Sequence, residues 1–198
     1  EYGYINDVGG TCEEGGSLEL VQLFLGARSI YAGSSVNLAG DRSRMDTAVG
    51  YLGKKDQKLD MNYVAGHTGK KTESRMEVKG VLRENASKLF RGTIDFRRGC
   101  AGAVGEETEE VLLLGDEVVN RTIPLILCGE ENVQGSHGAT AGRLEEEKLF
   151  YFCSRGMSRE EACDMMARAG IDALCGRIPD AALVEKVQDF LEGGARNG

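Results

Sequence analysis

From Ser17 to about Gly135 the chain is a succession of short segments rich in Val, Leu, Ile, Phe and Tyr, each broken after a few residues by Gly, Asn, Asp or a charged cluster. The segments at 18–25, 59–64, 76–81 and 89–96 alternate apolar and polar residues for part of their length, the period-two pattern of a strand with one face on a core. Two-residue hairpin signatures such as Asn-Gly or Asp-Gly between matched strands do not occur, so a simple antiparallel meander fits poorly. A stacked coil fits better: in a parallel β-helix each coil contributes short strands, and its neighbours satisfy the backbone groups. Repetition in the sequence is too weak to set the coil boundaries, and periodicity alone leaves a sandwich open.

The pattern changes after Thr140. Residues 145–155 place three glutamates in a first helical turn and an arginine in the last, matching the helix dipole, and Gly156 is suited to the C-cap. Ser158-Arg159-Glu160-Glu161 is a capping box, followed by Ala162, Met165, Met166, Ala169, Ala173 and Leu174 as one apolar side. Pro179 and Asp180 open a third helix carrying Leu183, Val184, Val187, Phe190 and Leu191, and residues 192–198 read as a frayed tail.

With 198 residues, 28 of them glycine and only 2 proline, the chain has room for one core or for a coil with a helical appendage. The net charge of −8 opposes general binding to nucleic acid or anionic membrane. Within it, residues 70–98 are rich in Lys and Arg, which reads as the solvated faces of successive turns or as a polyanion groove. The apolar runs at 111–114 and 123–128 are far too short to cross a bilayer, which takes about 20 residues. No leader-like segment opens the chain, which reads as cytoplasmic, and Glu1 in place of Met reads as the loss of an upstream portion. The six cysteines have no CxxC spacing and read as free thiols; Cys153, Cys163 and Cys175 are expected as small buried hydrophobes.

Several catalytic devices fail on spacing. Gly66-His67-Thr68-Gly69-Lys70-Lys71 has Val64 and Lys71 where a phosphate loop requires Gly and a hydroxyl, and Gly99, Gly102 and Gly105 miss the dinucleotide fingerprint. His67 and His137 are the only histidines, and neither lies in a nucleophile-elbow or metalloprotease pattern. The acid pairs Glu106-Glu107, Glu109-Glu110 and Glu130-Glu131 read as solvated loop residues rather than a catalytic dyad.

One segment is far more specific. Gly135-Ser136-His137-Gly138-Ala139-Thr140-Ala141-Gly142-Arg143-Leu144, continued by Leu149-Phe150-Tyr151 and Ser154-Arg155-Gly156, resembles the junction signature of SufD in the SufB/SufD family of iron–sulfur cluster assembly subunits. The likeness runs on to about Leu191 and, more weakly, back through His67, Ser74-Arg75, residues 78–82, Phe90-Arg91-Gly92 and residues 112–116. It implies a mainly β chain, a right-handed parallel β-helix core over residues 1–139 followed by a small helical domain over 140–198. It implies a scaffold subunit, not an enzyme, whose helices dock a SufC-like ATPase and whose β-helix pairs with a SufB-like subunit or a second copy of itself. An iron–sulfur cluster would be transient and shared with that partner. His137 falls on the family's histidine and becomes a candidate iron or cluster ligand, with a hydrogen-bonding role at the junction as the alternative. Gly135 stands where many SufD chains have Cys, and Glu109 or Glu110 near the essential SufB cysteine, so Cys128 is the nearest substitute thiolate. Arg155, Gly156 and Met157 are the candidate partner-binding turn. The rival readings are an interaction module without a cluster role and a β-helix carbohydrate-active enzyme.

Overall fold

The computed structural model describes residues 2–144 and 146–193, so Glu145 and residues 194–198 of the expected tail lie outside the described residues. Ten strands fill the first part: β1 Gly3–Cys12, β2 Ser17–Phe24, β3 Ser29–Leu38, β4 Arg44–Gly53, β5 Lys58–His67, β6 Glu73–Arg83, β7 Ser87–Phe96, β8 Ala103–Leu114, β9 Val119–Cys128 and β10 Val133–Arg143. Odd strands form one sheet, in the order β1-β3-β5-β7-β9, and even strands the other, in the order β10-β8-β6-β4-β2. Every pairing is parallel. This is a β-coil, each turn made of one odd and one even strand. Residue 29 pairs with 58 and 58 with 87, so a turn takes 29 residues in mid-coil. Paired strands are already present from Gly3, upstream of the Ser17 start read from the pattern, and β10 runs on to Arg143.

The lumen takes alternate residues. In β7, Phe90, Gly92, Ile94 and Phe96 point inward between half-buried outer neighbours, and Met61, Tyr63, Met76 and Leu82 lie on neighbouring strands in the same core. Strands buried on both faces read as apolar runs rather than alternation, and β4 is the example here. Its outward Ala48 and Gly50 are buried as well as its lumen side, because a helix lies over them.

One corner of the coil is held by a backbone ladder. Gly15 N–H donates to Asp41 O, Arg42 N–H to Lys70 O, Lys71 N–H to Ala101 O and Gly102 N–H to Asn132 O, at 2.7–3.0 Å. All four donors have positive φ, including the non-glycine residues Arg42 (60°) and Lys71 (54°). The left-handed conformation is costly for residues with a Cβ, and the stacked hydrogen bonds offset it. The same ladder accounts for the failed phosphate-loop pattern. Thr68 N–H and Gly69 N–H donate to Leu38 O, and Lys70 N–H donates to Asp41, so these amides have no capacity left for a phosphate.

Three helices follow: α1 Glu146–Ser154, α2 Arg159–Cys175 and α3 Ala181–Gly193. Ser158 caps α2 through its Oγ and Glu161 N–H, and Glu161 returns a carboxylate to Ser158 N–H. Asp180 accepts from Ala182 and Leu183 N–H at the start of α3. The buried stripe of α2 is Ala162, Ala167, Ile171, Leu174 and Cys175, while Met165, Ala169 and Ala173 are exposed, which corrects the apolar face read from the sequence. The rotation is set by the sheet: Ile171 and Leu174 press on Gly50, and Arg83 pairs with Asp164 while Arg177 pairs with Asp46 and Glu77. Cys175 is buried as expected, Cys163 is half-buried, and Cys153 is exposed, so its burial is not observed.

Candidate functional site

Stacking ends at β9 and β10, and the lumen there is uncovered. Register places Cys128 over Phe96 and His137 over Glu107, so both side chains belong to the lumen-facing rows of their strands. In the buried coils those rows are closed; in the terminal coil Cys128 and His137 are exposed, with Thr122, Pro124 and Ile126 half-buried beside them. The two candidate ligands thus share the open end of the coil, on different strands. Among the described residues no group of three or more His, Cys, Asp or Glu is placed to hold a metal ion. His137 and Cys128 are chemically suitable iron donors, an imidazole and a thiol.

Directly beneath this end lies a polar cluster that the sequence reading missed. The Lys88 ammonium and the Glu109 carboxylate form an ion pair with side chains 0% and 2% exposed. Thr122 Oγ1 accepts from Lys88 Nζ at 2.9 Å and donates to Glu109 Oε2, tying the terminal coil to the pair. Tyr51 reaches up past Gly80 until its hydroxyl lies 3.5 Å from Glu109 Oε1. A Cβ at Gly80 would fall inside the Tyr51 ring, so glycine opens that passage. Gly92 likewise leaves room for the Glu107 carboxyl, where any Cβ would collide with it.

Burial dominates the electrostatics of these groups. It pulls the Lys88 ammonium below its usual pKa, with the charge of Glu109 opposing the shift. Glu107 is pushed up to about 7 by burial and then by the Glu109 charge. Glu107 and Glu109 are therefore lumen residues of a strand, a correction to their reading as solvated loop acids. Parity was the available signal, since 103, 105, 107, 109 and 111 all fall on the buried side of β8.

His67, the other histidine, is a core residue. Its Nδ1 is 2.7 Å from Thr72 Oγ1, its Nε2 is 2.9 Å from Ser74 Oγ, and the ring packs on Phe96. Desolvation lowers its pKa to about 4, which keeps it neutral.

Two exposed apolar surfaces lie near the candidate residues. The outer face of edge strand β9 carries Ile123, Leu125 and Leu127, 52%, 45% and 44% exposed. At the α1–α2 corner, Phe150 and Tyr151 are exposed, and the Arg155 guanidinium lies over the Tyr151 ring at 5.2 Å. Gly156 takes φ 91° to end α1, and Met157 is half-buried with its N–H donating to Phe152 O. Arg155, Gly156 and Met157 thus lie beside exposed aromatics that the sequence reading did not single out as partner residues.

Residues 4–170 match the family model described as SUF system FeS cluster assembly, SufBD core domain. The chain belongs to this SufB/SufD family. It is 26% identical over 159 residues to the iron-sulfur cluster assembly protein SufD of Bacillus subtilis (strain 168), covering 80% of this chain and 36% of that protein. It is 27% identical over 174 residues to SufB of the same organism, covering 88% and 37%. An iron-sulfur cluster assembly SufBD family protein of Staphylococcus epidermidis is 28% identical over 172 residues, covering 87% and 37%. The chain thus spans a little over a third of the length of these SufB/SufD relatives. Membership of the SufB/SufD family agrees with the parallel coil and three-helix ending. No helix among the described residues is long and apolar enough to cross a membrane.

Proposed function

We propose that the chain acts as a SufD-like scaffold subunit of an iron–sulfur cluster assembly complex in the cytoplasm, and that it is not itself a catalyst. The observation that carries this reading is the uncovered terminal coil, where unpaired strand edges, an exposed apolar stripe on β9 and the donors His137 and Cys128 occur together. An exposed parallel edge with apolar side chains is a template for another chain. A SufB-like chain or a second copy would seat there, and a transient cluster, the cargo of the assembly, would take His137 from this side and further ligands from the partner. The α1–α2 corner, with Phe150, Tyr151, Arg155, Gly156 and Met157, would dock a SufC-like ATPase.

Co-purification of the chain with candidate partners under anaerobic conditions tests the reading. Intact protein should retain both the ATPase and the β-coil partner; a chain ending at Thr140 should lose the ATPase. His137→Ala should keep both partners while cluster assembly in cells falls. Retention of the ATPase by the truncated chain would place docking on the strands, and unimpaired assembly by His137→Ala would reduce that residue to a junction role.

A further inference from the structure

In the lumen-facing row of β10, His137 stands between the small residues Gly135 and Ala139. Register sets these three over Gly105, Glu107 and Glu109 of β8, and neighbouring strands lie about 4.8 Å apart. Of the two carboxyls beneath, that of Glu109 is engaged: it pairs with Lys88 and accepts from the Thr122 hydroxyl of the terminal coil. Glu107 is 3% exposed, yet none of the cluster's hydrogen bonds among the described residues reaches it. Its carboxyl fills the space left over Gly92, and the side chain stacked on it from the open coil is His137. The Thr122–Glu109 bond shows that a side chain of the terminal coil can reach a carboxyl of the coil beneath. Gly135 and Ala139 carry no bulk that would keep the imidazole from doing the same.

We propose that Glu107 is the positioning residue of His137: its carboxylate accepts the N–H of one ring nitrogen and leaves the lone pair of the other facing the open end of the coil. The inference deepens the reading of His137 as an iron ligand given under Proposed function and rests on it. A neutral imidazole has one N–H and one lone pair, so the group that accepts the N–H decides which nitrogen can bind metal. Carboxylates commonly hold ligating histidines in this way, fixing the ring and raising the basicity of the ligating nitrogen. A buried carboxylate without a hydrogen bond is costly, and the N–H of His137 removes that cost. The competing partner is Lys88, whose ammonium is already bonded to Glu109 and Thr122.

The test compares the unaltered chain with Glu107→Met, which removes the carboxyl, and with Glu107→Gln, which keeps its size and one acceptor oxygen. Nitrogen NMR near pH 8, on the ionised side of the Glu107 carboxyl, reads the tautomer of His137 with no metal present. The unaltered chain should show one dominant His137 tautomer. In Glu107→Met the tautomer ratio should fall about tenfold, the worth of one hydrogen bond to a charged group, and in Glu107→Gln by less. His67, held by Thr72 and Ser74, should keep its signals in all three proteins and so reports that the fold is intact. Cluster assembly in cells should fall about tenfold or more with Glu107→Met and be partly restored by Glu107→Gln. An unchanged His137 ratio in Glu107→Met, with the Lys88 ammonium signals shifted instead, would assign Glu107 to Lys88 and overturn the inference. A shifted ratio with undiminished assembly would overturn the positioning role while His137→Ala still impairs assembly. If His137→Ala leaves assembly intact as well, the ligand reading falls and the inference with it.

Discussion

Lys88 on β7 and Glu109 on β8 form an ion pair sealed inside the coil, and Thr122 of the terminal coil hydrogen-bonds to both partners. Such pairs add little net stability compared with apolar residues of the same shape, but removing one partner strands the other charge. Lys88→Met should therefore cost about 3–5 kcal/mol, and Lys88→Met combined with Glu109→Leu should recover most of it. Urea unfolding followed by circular dichroism reads both values, and equal losses in the single and double variants would contradict the pairing.

His67 predicts a pH dependence. Its folded pKa of about 4 lies below the unfolded value of 6.5, so the unfolded chain binds the extra proton. Its contribution to stability is complete above pH 6.5 and is lost as pH falls toward 4, about 3 kcal/mol in all. Glu107, raised from 4.5 to about 7, works in the opposite sense, its contribution being lost as pH rises through that interval. The two slopes oppose each other, so the readable quantity is a difference: a His67→Gln variant should lose stability, relative to the unaltered protein, progressively as pH rises from 4 to 6.5. A constant difference across that range would show that the histidine does not titrate as described.

Gly80 and Gly138 are both strand glycines with opposite surroundings. A Cβ at Gly80 meets the buried Tyr51 ring, whereas one at Gly138 meets nothing within 4 Å. Gly80→Ala should destabilise by about 1–3 kcal/mol and disturb the contact of Tyr51 with Glu109, because overpacked cores must shift side chains. Gly138→Ala should be neutral or slightly stabilising. Thermal unfolding of the two variants side by side decides it.

Arg177 fastens the end of α2 to the coil, 2.6 Å from Asp46 Oδ1 and 3.3 Å from Glu77 Oε2 while its side chain is 24% exposed. Arg177→Ala should loosen the helices by about 1–2 kcal/mol while leaving the strands protected, since the ladder hydrogen bonds do not depend on it. Hydrogen exchange would then accelerate in α2 and α3 alone. Equal acceleration in β4 and β6 would mean that the helices and coil open as one unit.

The sequence by itself determined the short β segments, the switch to capped helices after Thr140 and the family signature around His137, because alternation, capping and turn chemistry are local properties. It also determined that the 66–71 segment is no phosphate loop, by spacing alone. It did not determine which acids are inside. Glu106 and Glu107 are adjacent and chemically alike, and only the stacking of β8 between β6 and β10 sends one outward and the other into the lumen above Gly92. The buried Lys88 escaped notice for the same reason: its partner lies 21 positions away and meets it only across the coil. The buried stripe of α2 was likewise decided by the small-residue seat at Ala48 and Gly50, which a helix pattern cannot reveal. At His137 the division is clearest. The motif identifies the residue, but its exposure follows from a tertiary fact, that β10 is the last strand of its sheet and no further coil covers the lumen-facing row.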